Sequence, residues 1–117
     1  MKIVIFNEDL RSEMQMYLAL SNHYDVTIAE DEDDLLQLLD RNSADFTFLD
    51  LDCGEERPEC QKRFDIATII RRKHPGTQVV GICDSKDKNL TDAAAGHGIN
   101  KMVTRPIKNR ELLEVIG

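Results

Sequence analysis

The feature that most constrains the fold is a short apolar run, Phe46-Thr47-Phe48-Leu49, which ends abruptly in the carboxylates Asp50 and Asp52. A run this short and apolar is typical of a central strand in a parallel sheet, buried on both faces. Asp50 then falls at the carboxyl end of the strand, where ligands bind in open α/β sheets. A single aspartate at a strand end is more often a helix cap or a solvated loop residue, so other acids in the chain must decide its meaning.

Segments with strand character alternate with segments of helical periodicity along the whole chain. The predicted strands are residues 2–6, 24–29, 45–49, 79–82 and 101–104. The first predicted helix carries apolar residues at helical spacing, namely Leu10, Met14, Tyr17 and Leu18. This alternation predicts an α/β fold, a three-layer doubly wound (βα)5 sandwich. Its five-stranded parallel sheet has right-handed crossovers and helices on both faces.

Length and composition limit the classes of function. The chain of 117 residues is enough for one domain, residues 1–117. A net charge of -7 and the lack of a basic stripe argue against direct nucleic-acid binding. We expect no signal peptide, and no apolar run approaches membrane-spanning length. The short last helix at Gly117 is compatible with a free-standing domain or with one cut from a longer chain.

Three cysteines, an odd number, predict free thiols in a reducing cytoplasm. Cys53 and Cys60 share a long loop at residues 51–61, but no CxxC motif or nearby histidine pair supports a zinc site. The acidic run at residues 30–34 is interpreted as the start of a helix, where carboxylates cap free N–H groups and complement the helix dipole.

Charged and polar side chains follow four of the predicted strands at their carboxyl ends. They are Asn7, Glu8 and Asp9 after the first strand, Asp50 and Asp52 after the third, Cys83 and Asp84 after the fourth, and Thr104 and Arg105 after the fifth. If the first and third strands are neighbours, these carboxylates converge in one crevice. Hard oxygen ligands in a small cleft suit Mg²⁺, and an acid cluster with a fixed cation suits phosphoryl chemistry. The alternative is an acidic rim that only keeps the protein soluble.

These strand ends, taken in order, resemble those of the receiver domains of two-component response regulators. The resemblance covers essentially the whole chain. It rests on Asn7-Glu8, with Asp9 behind, in the place of an acidic pair, on Asp50 as the phosphoacceptor, on Cys83 in the place of a Thr or Ser, and on Arg105-Pro106 in the place of a Lys-Pro pair. The fold that it implies is flavodoxin-like, with strand order 2-1-3-4-5.

The resemblance implies a mechanism. A histidine kinase or phosphotransfer protein would present a phosphohistidine, and Asp50 would attack it with Mg²⁺ as cofactor. Glu8, Asp50 and the backbone carbonyl of Asp52 would bind the metal, and Asn7 or Asp9 would hold a metal-bound water. Any catalysis would be limited to self-phosphorylation and self-dephosphorylation.

The resemblance also implies how the signal would leave the domain. Cys83 and Arg105 would contact the phosphoryl group and switch a surface formed by helix four, strand five and helix five. That surface would serve an output domain, a downstream protein or a homodimer. In the family, the peptide at the position of Arg105–Pro106 is commonly cis.

Departures from the family pattern keep a second hypothesis open. Asn7 replaces an acid, Glu8 is longer than the usual Asp, and Cys83 replaces a hydroxyl. Asp84 would oppose an incoming phosphoryl group, and Arg105 is not equivalent to a lysine point charge. The alternative is therefore a pseudo-receiver, a protein-interaction module that signals by docking without phosphorylation. A flavodoxin-like cofactor binder is a weaker third hypothesis, because no Gly-rich or Ser/Thr-rich phosphate loop follows the first strand.

Overall fold

A computed structural model of the chain describes residues 1–51, 59–85 and 88–117, and the backbone alone at residues 59, 60 and 100. In the described residues strands and helices alternate. The strands are β1 (Lys2–Phe6), β2 (Asp25–Ile28), β3 (Phe46–Asp50), β4 (Gln78–Cys83) and β5 (Ile99–Thr104). The helices are α1 (Leu10–Leu20), α2 (Glu32–Arg41), α3 (Glu59–Lys73), α4 (Lys88–Gly96) and α5 (Asn109–Ile116).

The strands form one parallel sheet in the order β2-β1-β3-β4-β5. The predicted α/β class, the parallel sheet and the strand order are all confirmed. All five residues of β3 are buried, as expected for a central strand covered on both faces. Asp50 is the last residue of this strand, one position later than the predicted strand end.

Two apolar cores lie on opposite faces of the sheet because successive strand residues point to opposite sides. Ile3 and Ile5 of β1 pack in one core with residues of α1 and α5, whereas Val4 and Phe6 pack in the other with residues of α2, α3 and α4. Full burial of a side chain such as Phe48 contributes about 1.5–3 kcal/mol. These two cores give the predicted three layers.

Helix α1 lies where the sequence predicts it, but its exposed face is apolar. Leu10 and Leu18 are 79% and 60% exposed, and Met14 is also exposed. Met16 and Leu20 point into the core instead. The short connection from β1 and the capping residue at position 9 fix where the helix begins. The phase of the helix over the sheet therefore depends on tertiary placement and not on the apolar spacing.

Acidic residues cap two helices, as the sequence predicts for residues 30–34. The Asp31 carboxylate accepts a hydrogen bond from the Asp34 N–H of α2 at 2.7 Å. The Asp9 carboxylate does the same for the Ser12 N–H of α1 at 3.1 Å. These caps supply acceptors for N–H groups that have no partner within the helix.

Other local features bear on the sequence predictions. The Arg105–Pro106 peptide is cis. None of the helices in residues 1–51, 59–85 and 88–117 is both long and apolar enough to cross a membrane. Cys53 and the side chain of Cys60 lie outside the described residues, so the free-thiol prediction for their loop stays a prediction.

The turn between α4 and β5 gives a test of the fold. Gly98 has a φ of +87°, and a Cβ there would lie 2.5 Å from Cγ of Arg71. We expect Gly98→Ala to lower the free energy of unfolding by about 1–3 kcal/mol, because the side chain adds backbone strain and a clash. Urea unfolding measures the change. Gly96→Ala is the control, because a Cβ at Gly96 meets open space. An equal loss of unfolding free energy in the two variants would contradict the strained conformation assigned to Gly98.

Candidate functional site

The carboxyl edge of the sheet brings together residues that lie far apart in sequence. Asn7 and Glu8 follow β1, Asp50 ends β3, Asp84 follows β4 and Arg105 follows β5. Because β1 and β3 are neighbours in register, Phe6 lies beside Leu49 and Asp50 lies next to the start of the β1 loop. The Arg105 N–H donates to the carbonyl of Cys83 at 2.8 Å, which fixes where the chain leaves β5.

Asp50 is a buried carboxylate with a cation in direct contact. Asp50 is 1% exposed. Asp50 Oδ2 accepts hydrogen bonds from Arg105 Nη1 at 2.6 Å and from the Glu8 N–H at 2.9 Å. A buried carboxylate is costly unless it is paired and hydrogen-bonded, and these two contacts help to offset that cost.

The planar guanidinium of Arg105 donates hydrogen bonds to the side chains of three residues. Besides Asp50, it donates through Nη1 to Asn7 Oδ1 at 3.0 Å and through Nε to Asp84 Oδ1 at 2.7 Å. Burial by itself lowers the pKa of Arg105, but the hydrogen bonds to Asp84 and Asp50 outweigh it and raise the pKa above its usual value. Arg105 therefore stays cationic at any physiological pH.

The buried side chain of Asn7 links α1 to this pair. Its Nδ2 donates to Ser12 Oγ at 2.9 Å and to Met16 Sδ at 3.4 Å, and its Oδ1 accepts from Arg105. An aspartate at this position could not donate to either partner. It would also place a second negative charge beside Asp50, so the amide suits a site that is already balanced by arginine.

A second buried arginine, Arg63 of α3, was not among the residues predicted from the sequence. It is 4% exposed. Its guanidinium donates to Glu8 Oε1 and to the backbone carbonyl of Asp50, and lies 4.8 Å from the centre of the Phe6 ring. Its Nε is 3.7 Å from Glu32 Oε2, and Lys62 Nζ is 3.1 Å from the other Glu32 oxygen.

One sequence signal could have identified Arg63. It lies at helical spacing from the buried residues Ile66, Ala67 and Ile70, so it shares the face of α3 that packs on the sheet. A charged residue on the buried face of a helix needs an ion-pair or hydrogen-bond partner, so its position there indicates a buried interaction. The charge-rich start of the helix hides this pattern, because most arginines in such a stretch face solvent.

Two of the remaining predicted site residues, Cys83 and Asp9, lie in different environments. Cys83 is fully buried in the core on the α3 side of the sheet, and its Sγ donates to the Val103 carbonyl at 3.6 Å. The Asp9 carboxylate caps α1. Asp9, Asp84 and Arg105 line a surface depression of about 300 Å³. Asp52 lies outside the described residues.

The donor set can be tested for the magnesium ion that the resemblance implies. Asn7 Oδ1, Glu8 Oε1 and Asp50 Oδ2 each accept a hydrogen bond from an arginine. In the described part of the chain, no group of three or more His, Cys, Asp or Glu side chains could hold a metal ion. A divalent ion at these oxygens would have to displace a guanidinium, so the residues in this arrangement do not fit the ion.

Comparison with known proteins gives a family and a set of similar folds. The family model for the response regulator receiver domain matches residues 3–117. No curated protein matches the chain in sequence. A response regulator from Thermotoga maritima is similar in structure, with a TM-score of 0.87 and 22% identity, over 98% of this chain and 92% of that one.

Two further solved structures have the same fold. The chemotaxis protein CheY4 from Vibrio cholerae has a TM-score of 0.84 at 14% identity, over 98% of this chain and 94% of its own. NtrX from Brucella abortus has a TM-score of 0.81 at 19% identity, and the match spans 98% of this chain but only 25% of NtrX. At these identities the likeness shows the fold alone.

The buried ion pair at the strand end can be tested by stability. We expect Arg105→Ala to lower the free energy of unfolding by about 3–5 kcal/mol, because it leaves Asp50 buried without a cation. Adding Asp50→Asn to that variant should restore part of the loss, because the uncompensated charge is removed. Arg110→Ala is the control, since its exposed pair with Glu114 contributes about 0.5 kcal/mol or less. Equal losses for Arg105→Ala and Arg110→Ala in urea unfolding would contradict the assignment.

Proposed function

The chain belongs to the response regulator receiver domain family, and from that premise we propose that Asp50 accepts a phosphoryl group from a phosphohistidine. The donor would be a histidine kinase or phosphotransfer protein. The observation that carries this proposal is the contact of 2.6 Å between Asp50 Oδ2 and Arg105 Nη1 at the end of the central strand. It supplies a carboxylate nucleophile and a fixed cation at one point.

The proposed step is balanced within the two partners. One oxygen of Asp50 forms a bond to phosphorus, the P–N bond of the phosphohistidine breaks, and the departing imidazole takes up a proton from solvent. Arg105 would remain on the transferred group, because a guanidinium pairs with phosphoryl oxygens as well as with a carboxylate. Beyond forming and hydrolysing its own aspartyl phosphate, the domain would turn over no separate substrate.

Access to Asp50 is limited by the groups that hold Arg105. Asp84 pairs with Nε of Arg105 and is largely exposed, so its negative charge lies where a phosphoryl group would approach. The depression lined by Asp9, Asp84 and Arg105 would be the approach from solvent, because Arg105 connects it to the buried Asp50 carboxylate. Transfer therefore requires Arg105 to release Asp84 or to turn with it.

The exposed apolar face of α1 supports docking of a protein donor beside the site. Leu10, Met14 and Leu18 are neighbours on one side of the helix, and the helix starts directly after Glu8 and Asp9. Contiguous exposed apolar side chains next to a reactive group are typical of protein contacts. We propose that the phosphohistidine-bearing partner covers this face.

The output surface of the proposal is α4, β5 and α5. Lys101 Nζ of β5 donates to the Val115 carbonyl of α5 at 2.9 Å, and Arg105 follows the same strand. A change in the partner of Arg105 would therefore be passed to this surface, which would serve an output domain, a downstream protein or a second copy. A reducing cytoplasm, indicated by the cysteine count, is part of the same proposal.

Three observations favour the pseudo-receiver as the second candidate. Arg63 holds Glu8, Asp84 competes for Arg105, and the Cys83 thiol donates to Val103 within the core. In that case the arginine network would be a permanent structural lock, and the domain would signal by docking alone.

Phosphoryl labelling of Asp50 separates the two candidates. We expect intact-protein mass spectrometry to detect the addition of one phosphoryl group after incubation with acetyl phosphate or phosphoramidate. Asp50→Asn should abolish the addition, because an amide is not a nucleophile for this step. Asp92→Asn, an exposed change on α4, should label like wild type. Identical spectra for wild type and Asp50→Asn would favour the pseudo-receiver.

The charge of Asp84 gives a further test. We expect Asp84→Ala to raise the rate of labelling about fivefold at low ionic strength, because it removes roughly 1 kcal/mol of repulsion and frees Arg105. The gain should shrink with added salt, because salt screens exposed charges. Labelling rates measured across a salt series provide the check. A slower variant would mean that Asp84 is needed to orient Arg105.

A further inference from the structure

We propose that the guanidinium of Arg63 is a tethered cation that takes the place of a divalent metal ion between the Glu8 carboxylate and the backbone carbonyl of Asp50. The role of this cation, which is to offset negative charge during phosphoryl transfer, rests on the function proposed above. The exclusion of metal is a separate property that can be measured without phosphoryl transfer.

The contacts of Arg63 carry the proposal. One side of its guanidinium binds the Glu8 carboxylate, and the other binds the backbone carbonyl of Asp50. Those are hard oxygen acceptors of the kind that Mg²⁺ prefers. Here they are shared by a cation that is fixed to the backbone of α3.

The position of Arg63 is set by packing as well as by charge. The side chain is buried, and its guanidinium lies on the face of the Phe6 ring. Its Nε is left with only a long ion pair to Glu32 and no hydrogen-bond partner among the described residues. The guanidinium is thus oriented toward Glu8 and Asp50 at the expense of its contact with Glu32.

The ion-paired groups around Arg63 and Arg105 come close to charge balance without a divalent cation. Among the described residues, ion pairs join four carboxylates, those of Glu8, Glu32, Asp50 and Asp84, to three side-chain cations, those of Lys62, Arg63 and Arg105. Their formal sum is -1. A magnesium ion added to this set would make it positive, and it would separate Arg63 from its two best acceptors.

Two departures from the family pattern fit this arrangement. The extra methylene of Glu8 carries its carboxylate to Arg63, and the amide of Asn7 contributes no charge that would call for a metal. Both residues sit in the positions where a metal-binding relative would have acids. Both sequence changes and the Arg63 contacts are therefore consistent with a site in which an arginine side chain replaces the metal ion.

Magnesium titration tests the exclusion of metal. Wild-type protein and the control Arg72→Met, in which an exposed arginine of the same helix is replaced, should both show no MgCl₂-dependent rise in their thermal midpoints. Arg63→Met removes the charge and keeps an apolar stem over Phe6. It should bind Mg²⁺ at least tenfold more tightly than wild type, and adding Glu8→Gln should abolish that gain.

A second variant keeps the test decisive if Arg63→Met does not fold. Arg63→Gln retains a donor toward Asp50 and removes the cation, so it should gain the same magnesium binding. Isothermal titration with MgCl₂ gives the affinity directly. The proposal is overturned if wild type binds magnesium as tightly as either variant, or if neither variant gains binding.

Labelling with acetyl phosphate separates this inference from the proposed function. Wild type in EDTA should label within twofold of its rate in MgCl₂, whereas Arg63→Met should need MgCl₂. A tenfold loss of wild-type labelling in EDTA would overturn the inference and leave the proposed function intact. If no variant labels under any condition but Arg63→Met gains magnesium binding, metal exclusion stands and the proposed function fails.

Discussion

The structure depends on how the negative charge of Asp50 is held at the end of a fully buried strand. A carboxylate in that position is unfavourable without a cation and hydrogen-bond donors. Arg105 and the Glu8 N–H supply them, and they arrive from strands on either side of β3. The pair therefore fixes the distance between the β1 loop and the β5 loop. Any change of charge at Asp50 therefore acts directly on Arg105, which follows β5.

Arg63 extends this constraint to the other layer of the domain. It ties the backbone at Asp50 to Glu8, and through Glu32 it reaches the start of α2. Two arginines from opposite sides of the strand end thus offset the acids that the topology gathers. A tethered cation of this kind loses no translational freedom when it binds, whereas a free ion does. In return, a tethered cation cannot dissociate from the site when the charge at Asp50 changes.

Much of the fold follows from local pattern. The lengths and apolar periods of the segments predict the alternating strands and helices, and the acids at Asp31 and Asp9 begin helices as their capping chemistry requires. The order of the strands came from the family resemblance, because no local signal specifies which strand pairs with which. The apolar spacing of α1 predicts a helix but not its phase, so Leu10 and Leu18 face solvent while Met16 faces the sheet.

The sequence by itself determined that carboxylates and one arginine lie at the ends of several strands, because the change from apolar to polar residues marks each strand end to within about one residue. It also predicted that Asp50 and Arg105 would lie close together if those ends met, and they are in contact. Only the tertiary structure decided that Arg63 joins them, since Arg63 and Glu8 are 55 residues apart and no local rule connects them. It also decided that the Cys83 thiol donates to a carbonyl within the core. Side-chain partners across the sheet are set by packing and charge balance in three dimensions, and neither is contained in a local pattern.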